Sequence, residues 1–294
     1  MSARTVGFDI GSKNLHAAVA QNGEITRFIT EPLPEGAVKN GVISSFEAVG
    51  EFIREVCKKH SVKAKNAAVV LPPAVCLCRR CDLEKMTHEQ LMINLPYEFR
   101  DYISGGRDSY IFDYAVMNPA GEAADKLELL AAAAPVSAIS DYRAMFRRAG
   151  LRLKTAVPAE AAYSRLFDKN PACGPCHCVA DIGLAASRLY VFSGGRFESK
   201  HVLDVGCQAV ESGLESSLKI AEGFRRALHY LRYMDPGLEP KKLVLVGGGS
   251  ALPQLKSAVV SALEPLGITV CGPEEILSGS EGISGLCAAG AALL

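Results

Sequence analysis

The stretch Val6-Gly7-Phe8-Asp9-Ile10-Gly11-Ser12-Lys13-Asn14-Leu15 decides the fold of this chain, because its central Asp-Ile-Gly returns far along the sequence. The second copy lies in Val179-Ala180-Asp181-Ile182-Gly183-Leu184-Ala185-Ala186-Ser187-Arg188-Leu189, and a third glycine stretch reads Leu243-Val244-Leu245-Val246-Gly247-Gly248-Gly249-Ser250. Each Asp-Ile-Gly is flanked by two apolar runs, a pattern that predicts a strand, a tight turn and a second strand. The chain therefore contains two equivalent strand–turn–strand units and, near its end, a further glycine turn.

These turns have the chemistry of a nucleotide site. A glycine lets the backbone approach a phosphate closely, and an aspartate beside it offers the hard oxygen ligands that Mg²⁺ prefers. A single Asp-x-Gly turn is typical of ordinary hairpins, but three glycine turns in this order, each on a strand, are the signature of the actin-like ATPase fold. We therefore expect an α/β, actin-like (ribonuclease H-like) fold in which two lobes clamp a polyphosphate and the third turn flanks the base or sugar.

Length and composition agree with a two-lobed globular protein. The 294 residues are long for one core, and 49% of them are hydrophobic. Lys plus Arg and Asp plus Glu both number 32, so no basic excess indicates nucleic acid as a partner. A strand is predicted within a few residues of the start, so we expect no signal peptide. No apolar run reaches the ~20 residues that span a bilayer, and the apolar residues 285–294 predict a short buried helix.

Ten cysteines in a chain without a leader indicate a reducing cytoplasm. Cys76, Cys78 and Cys81 form one cluster, and Cys173-Gly174-Pro175-Cys176-His177-Cys178 forms another that contains the Cys-Gly-Pro-Cys of thioredoxin-like sites. Such sites place the first cysteine at a helix N-terminus, whereas this one leads into a strand, and its donors lie too close together to complete a zinc tetrahedron. We interpret these thiols as incidental, and a redox or metal protein stays an alternative that a metal assay would test.

The pattern of elements divides the chain into four segments. The first lobe begins with residues 1–72, is interrupted by an inserted α+β subdomain over residues 73–150, and returns over residues 151–177. The second lobe covers residues 178–294 and lacks most of its outer subdomain, and its last helix packs back. Strands are predicted over residues 5–10, 15–21, 24–30, 66–71, 75–83, 110–117, 126–134, 151–157 and 243–246. Helices are predicted over residues 45–60 with Ser45 as cap, 87–102 with Thr87 as cap, 136–149, 158–167, 211–234 and 252–263.

Three further stretches resemble the PilM family, the cytoplasmic actin-like proteins of type IV pilus assembly, which are relatives of the division protein FtsA. These are Leu33-Pro34-Glu35-Gly36-Ala37-Val38-Lys39-Asn40-Gly41-Val42-Ile43, Lys65-Asn66-Ala67-Ala68-Val69-Val70-Leu71-Pro72 and Arg79-Arg80-Cys81-Asp82-Leu83-Glu84-Lys85-Met86-Thr87. The nucleotide turns alone are shared with sugar kinases and chaperones. The loop that ends at Ile43 and the start of the inserted block narrow the resemblance to this family.

The resemblance implies roles for particular residues. Glu160, on the helix before the second turn, would act as the general base that positions the attacking water. Asp9 and Asp181 would hold Mg²⁺. The ATP ligands implied by the resemblance are Asp9, Gly11, Ser12 and Lys13 in the first turn, Asp181, Gly183 and Ser187 in the second, and Gly247, Gly248, Gly249 and Ser250 in the third.

The sequence also departs from the family in two places. After Val202-Leu203-Asp204-Val205-Gly206 the family usually carries several dozen residues of an outer subdomain, whereas this chain reaches its long helix almost at once. The second turn reads Leu184-Ala185-Ala186-Ser187, where hydroxyl residues usually supply donors. Both departures predict weakened binding of ATP and Mg²⁺ and at most weak ATPase activity.

The resemblance further implies a scaffold or nucleotide switch at the inner face of the cytoplasmic membrane. Its partner would be the N-terminal cytoplasmic tail of a PilN-like inner-membrane protein, bound between the inserted subdomain and the first lobe, with residues 71–83 and the loop before Ile43 as candidate contacts. Pilus motor components and self-association are further partners to consider. An FtsA-like division protein is an alternative that predicts a basic amphipathic C-terminal helix. A degenerate small-molecule kinase is another, and it requires a catalytic aspartate that the inserted block does not offer.

Overall fold

The computed structural model describes residues 4–39, 41–117, 126–167, 170–210, 214–277 and 285–294. The strands in these ranges are β1 (Arg4–Ile10), β2 (Asn14–Gln21), β3 (Glu24–Pro32), β4 (Val38–Lys39), β5 (Val42–Ile43), β6 (Asn66–Leu71), β7 (Leu77–Glu84), β8 (Tyr110–Val116), β9 (Lys126–Pro135), β10 (Arg152–Pro158), β11 (Cys176–Ile182), β12 (Ser187–Ser193), β13 (Arg196–Leu203), β14 (Lys242–Val246) and β15 (Thr269–Cys271). The α-helices are α1 (Phe46–Lys59), α2 (His88–Asn94), α3 (Val136–Arg148), α4 (Ala159–Phe167), α5 (Cys207–Val210), α6 (Leu214–Met234), α7 (Pro253–Leu263) and α8 (Leu286–Ala292).

Two five-stranded mixed sheets form two lobes with the same topology. In the first, the order is β10-β6-β1-β2-β3, with β1 antiparallel to β2 and parallel to β6. In the second, the order is β13-β12-β11-β14-β15, with β11 antiparallel to β12 and parallel to β14. The central strands are buried on both faces, as their continuous apolar runs require. The predicted two-lobed α/β architecture is confirmed, and each Asp-Ile-Gly ends the corresponding strand, β1 or β11.

The helix caps were predicted correctly, but one helix is shorter than expected. The Ala48 amide donates to the Ser45 hydroxyl at 3.2 Å and so starts α1. Thr87 forms a capping box with Gln90 at the start of α2. The prediction that this helix runs to residue 102 was wrong, since α2 ends at Asn94 and a 3₁₀ turn over Leu95–Phe99 follows. Pro96 explains this end, because a proline inside a helix removes an amide donor and clashes with the preceding turn.

Other boundaries agree with the predictions to within a few residues. The predicted start of the long helix, residues 211–213, lies outside the described residues, and the helix α6 begins at Leu214. The short elements α5 and β15 were not predicted. The chain passes from the end of β13 at Leu203 to α6 through residues 204–213 alone.

The inserted block has its own small sheet. Its strands lie in the order β7-β9-β8, and α2 covers a separate core that includes Leu91, Leu95 and Phe99. The helix α3 instead belongs to the core of the first lobe, where the Phe146 and Phe8 rings lie 5.2 Å apart. The division into segments 1–72, 73–150, 151–177 and 178–294 stays a prediction, and this packing favours counting α3 with the first lobe.

The last helix, α8, is buried along its whole length. It packs on β1, β2, β6 and α4 through backbone contacts. A Cβ placed on Gly7 would lie 2.0 Å from the Ala288 carbonyl oxygen, and a Cβ placed on Gly290 would lie 2.0 Å from the Ala162 carbonyl oxygen. Glycine at these two positions is therefore required for the close approach of α8 to the strand and the helix. The buried helix predicted from residues 285–294 is confirmed.

Four ion pairs lie at the strand β13 and beside it, and three of them connect the second lobe to the inserted sheet or to α4. On the strand β13, Glu198 pairs with Arg80 of β7, and Arg196 lies 3.7 Å from Glu128 of β9. Arg80 also lies 3.6 Å from Glu128, so these charges form a connected ladder. The fourth pair joins Lys200 of β13 to Glu160 of α4. We call this set the β13 ladder.

No helix in the described part of the chain combines the length and the apolar character needed to cross a bilayer.

The contact of α8 with β1 predicts that Gly7→Ala strongly destabilises the protein. The added methyl group would overlap the backbone of α8, which cannot move aside as a side chain can, and overpacking of this kind costs about 2–3 kcal/mol. Denaturant titration would measure the loss. Gly106→Ala is a matched control, because its backbone is extended and a Cβ there meets no atom within 4 Å. Equal stability of the two variants would contradict the prediction.

Candidate functional site

The two Asp-Ile-Gly turns have the same hydrogen-bonding geometry. In the first, the Gly11 amide donates to the Asn14 carbonyl at 2.9 Å. In the second, the Gly183 amide donates to the Ala186 carbonyl at 3.0 Å. Each turn therefore leaves its aspartate at the end of a central strand, half-buried, at the edge of its lobe that faces the other.

Each aspartate has a basic residue opposite it on the neighbouring strand. Asp9 of β1 pairs in register with His16 of β2, and Asp181 of β11 pairs in register with Arg188 of β12. Residues opposed across an antiparallel pair extend their side chains on the same face of the sheet. Neither basic residue was predicted from the sequence, although each follows its aspartate by seven positions.

The carboxylates of Asp9 and Asp181 come from different lobes and influence each other. Burial raises the pKa of Asp9 to about 6, and the positive charge of Arg188 partly opposes this shift. Burial also raises the pKa of Asp181 to about 6, and the negative charge of Asp9 adds to the shift, whereas Arg188 and His16 oppose it. The predicted convergence of the two turns on one place is therefore present in the structure.

Residues around the carboxylates complete a buried polar network. Burial lowers the pKa of His16 to about 4, so its imidazole is neutral at physiological pH, and it lies 3.1 Å from the Thr30 hydroxyl. The buried Tyr163 hydroxyl donates to the Asp181 carboxylate, and Cys287 of α8 is also within hydrogen-bond reach of Tyr163. The position of Asp181 thus depends on α4 and, through Cys287, on the last helix.

The third glycine turn packs directly on the second. Gly247 has a φ of 86°, and a Cβ there would lie 2.5 Å from Oδ1 of Asp181. A Cβ on Gly249 would lie 2.2 Å from Cγ2 of Ile182, whereas one on Gly248 would meet nothing within 4 Å. The Ser250 hydroxyl donates to the Gly247 carbonyl at 2.7 Å. Two of the three glycines are therefore explained by packing within the protein, and Gly248 is open to a ligand.

The side chains predicted to bind ATP in the first two turns differ in their exposure to solvent. Ser12 and Lys13 are exposed at the tip of the first turn. Ser187 is fully buried, and its hydroxyl donates to the Val205 carbonyl at 2.7 Å. Its role as an ATP ligand stays a prediction, and this internal hydrogen bond argues against it.

Glu160 is buried and paired rather than solvated. Its side chain lies on α4 with only 3% exposed, and Nζ of Lys200 donates to its Oε1 at 2.5 Å. Removing either partner would leave an uncompensated buried charge, which is strongly unfavourable. The role of Glu160 as a general base stays a prediction, and its Oε1 is already occupied by the hydrogen bond from Lys200.

Five of the six cysteines in the two clusters are buried, and Cys78 is half-buried. Burial raises the pKa of Cys76 to about 12 and of Cys176 to about 11, so neither thiol ionises readily at physiological pH. Cys176 begins the strand β11, which confirms that the Cys-Gly-Pro-Cys stretch leads into a strand. Over the described ranges, no group of three or more His, Cys, Asp or Glu side chains is arranged to hold a metal ion.

The site nevertheless fits Mg²⁺ in the presence of a polyphosphate. Carboxylate oxygens are ligands that this ion prefers, and it is commonly bound by one or two carboxylates together with substrate phosphates and water. Asp9 and Asp181 provide these two carboxylates from opposite lobes, and burial raises the pKa of both, a cost to the charged forms that a bound divalent cation would offset.

Solved structures share this arrangement of lobes. A chain of a PilM–PilN type IV pilus biogenesis complex aligns over 98% of this chain and 97% of its own length, with a TM-score of 0.80 and 20% identity. The ethanolamine utilization protein EutJ from Carboxydothermus hydrogenoformans aligns over 99% and 89%, with a TM-score of 0.54 and 16% identity. A Bacteroides thetaiotaomicron protein with an actin-like ATPase fold and unknown function aligns over 96% and 95%, with a TM-score of 0.50 and 13% identity. The molecule therefore has the actin-like ATPase fold.

A family model separates this chain from other proteins of that fold. The model of the type IV pilus assembly protein PilM matches residues 7–200, which include both Asp-Ile-Gly turns and the whole inserted block. The chain belongs to the PilM family of type IV pilus assembly proteins. Among the alternatives left open by the sequence, this match favours pilus assembly over cell division or small-molecule phosphorylation.

The raised pKa of Asp181 predicts that Asp181→Asn stabilises the ligand-free protein at neutral pH. The pKa is about 6 in the folded state against an ordinary value of 3.8. Its contribution to stability is therefore fully present below about pH 4 and is lost as the pH rises to about 6. At about pH 7.5 the variant should gain about 1–2 kcal/mol in the free energy of unfolding, and at about pH 4 it should gain little. Denaturant titrations at both pH values measure this, and a wild type that is the more stable protein at neutral pH would contradict it.

Proposed function

We propose that the protein is a nucleotide-responsive scaffold of type IV pilus assembly. It binds ATP with Mg²⁺ between its two Asp-Ile-Gly turns and holds the cytoplasmic tail of a PilN-like inner-membrane protein. It acts in the cytoplasm, at the inner face of the membrane. The observation that carries this proposal is the convergence of Asp9 and Asp181, from two lobes, on one partly buried place.

Several features of the chain support a nucleotide at this place. Asp9 and Asp181 would hold the metal ion, which neutralises phosphate charge when bound. The exposed side chains of Ser12 and Lys13 lie at the tip of the first turn and can reach a phosphate. Gly248 leaves open space in the third turn, where a base or sugar would approach the backbone.

The same geometry favours ATP as a ligand rather than as a source of energy. A general base has to be within reach of the attacking water and free to accept its proton. Glu160, the candidate, is bonded to Lys200 at 2.5 Å. We therefore expect slow hydrolysis, so that bound ATP sets the arrangement of the two lobes over a long lifetime.

The inserted sheet supports the proposed peptide partner. The related structure of a PilM–PilN complex aligns over nearly the whole chain. Here β7 lies at one end of its sheet and pairs with β9 alone among the described strands. An extended peptide can add to such an edge through backbone hydrogen bonds. The other candidate segment, the loop before Ile43, presents Val42 of β5 with 47% of its surface exposed, whereas Val38 and Ile43 are buried.

Calorimetric titration of ATP and Mg²⁺ tests the nucleotide site. Asp9→Ala and Asp181→Ala should each weaken binding at least about tenfold, because each removes one of the two metal ligands. Asp141→Ala is a matched control, because Asp141 is exposed on α3. The nucleotide part of the proposal fails if the wild type shows no saturable binding, or if all three variants bind like the wild type.

Titration of a synthetic peptide with the N-terminal sequence of the PilN-like partner tests the peptide site. We expect Val42→Glu to weaken binding about tenfold, because a charged side chain would lose apolar contact and be desolvated. Val260→Glu is the control, since Val260 is similarly exposed but lies on α7 of the second lobe. Equal affinities of the two variants would exclude the loop of Val42 from the peptide site.

A further inference from the structure

Arg188 extends into the site without a direct partner. Its position opposite Asp181 in the register of β11 and β12 directs its side chain toward the second turn. Its Nη1 lies 3.7 Å from the position that a Cβ on Gly183 would take. Across the described residues, no hydrogen bond or ion pair within 4.0 Å engages this guanidinium group. A permanently charged group that is half-buried and not paired has its donors available for a ligand.

The second turn has few other side-chain donors for such a ligand. Leu184, Ala185 and Ala186 carry no polar side-chain atoms. The only hydroxyl of the turn, on Ser187, is committed to the Val205 carbonyl. The amide of Gly183 is committed to Ala186. The second turn therefore offers a phosphate few side-chain donors of its own.

The charge of the site also calls for a positive group. Asp9 of β1 and Asp181 of β11 bring two carboxylates to this place from the two lobes. Lys200 is paired with Glu160. A guanidinium group matches the geometry of a phosphate, because it can donate two parallel hydrogen bonds to phosphate oxygens.

We propose that Arg188 is a direct ligand of the polyphosphate group of the bound nucleotide and supplies the donors that the second turn lacks. This inference rests on the nucleotide site of the proposed function and identifies its binding residue in the second lobe. It also accounts for a basic side chain in register with a metal-binding aspartate. In that position Arg188 lies beside Asp181 and can contact the same phosphate group.

The test compares Arg188→Gln and Arg188→Lys with the wild type by calorimetry, using ATP with Mg²⁺, AMP and inorganic tripolyphosphate as probes. Arg188→Gln should lower the affinity for ATP and for tripolyphosphate about 10–100-fold, the usual range for a charge-assisted hydrogen-bonded pair. Arg188→Lys keeps the charge but loses the planar fork, so it should recover part of the affinity. The affinity for AMP should change less than about threefold. Arg54→Gln on the exposed face of α1 is the control, and circular dichroism with thermal unfolding checks that every variant is folded.

The outcomes separate this inference from the proposed function. If ATP binds the wild type and Arg188→Gln equally well, the role of Arg188 is overturned and the nucleotide site stands. If tripolyphosphate binds through Arg188 and ATP does not bind, the role of Arg188 stands and the nucleotide proposal fails. If the wild type binds neither probe at millimolar concentration, both are overturned. If Arg188→Gln lowers the affinity for AMP as much as the affinity for ATP, the effect is structural and the inference is overturned.

Discussion

The site depends on the close contact of the α8 backbone with the backbones of the strand β1 and the helix α4. The helix α8 reaches β1 only because Gly7 has no side chain, and it reaches α4 only because Gly290 has none. Asp9 follows Gly7 by two residues on β1, and Tyr163, which bonds Asp181, follows Ala162 on α4. A segment from the end of the chain therefore positions a carboxylate of the first lobe and the hydrogen-bond partner of a carboxylate of the second. The two Asp-Ile-Gly turns, far apart in the sequence, are therefore both supported by elements that α8 contacts.

The two halves of the site share the Asp-Ile-Gly pattern but differ in the polar side chains that their turns offer. The first turn keeps exposed polar side chains at its tip, Ser12 and Lys13. The second turn has no such side chains at its tip, and its one hydroxyl, on Ser187, donates to the Val205 carbonyl. Charge in the second half comes instead from the strand, through Arg188. The passage from β13 to α6 through residues 204–213 leaves this half without the bulk of an outer subdomain, so the proposed nucleotide would be held more through its phosphates than through its base.

The sequence predicted those parts of the molecule that depend on local pattern. Apolar runs located the central strands, Ser45 and Thr87 located two helix starts, and the Asp-Ile-Gly repeats located the two carboxylates. The helix after Thr87 was predicted too long because the prediction ignored Pro96, which interrupts a helix interior. The pairing of Glu160 with Lys200 could not be predicted, since it joins residues that are 40 positions apart on different lobes. Arg188 and His16 were missed for a related reason, because their importance depends on strand register and not on residue type.

The β13 ladder has a thermodynamic consequence. Arg80 and Glu128 belong to the sheet whose edge strand β7 is the proposed peptide site. Their partners Glu198 and Arg196 lie on the same strand as Lys200, which bonds Glu160. A rotation of the second lobe must either break these pairs or move the inserted sheet with it. If two ligands act on the same set of ion pairs, their effects are reciprocal. The factor by which a nucleotide changes the affinity for a peptide is then the factor by which the peptide changes the affinity for the nucleotide. Membrane-anchored partner and cytoplasmic nucleotide would then each act as the sensor of the other.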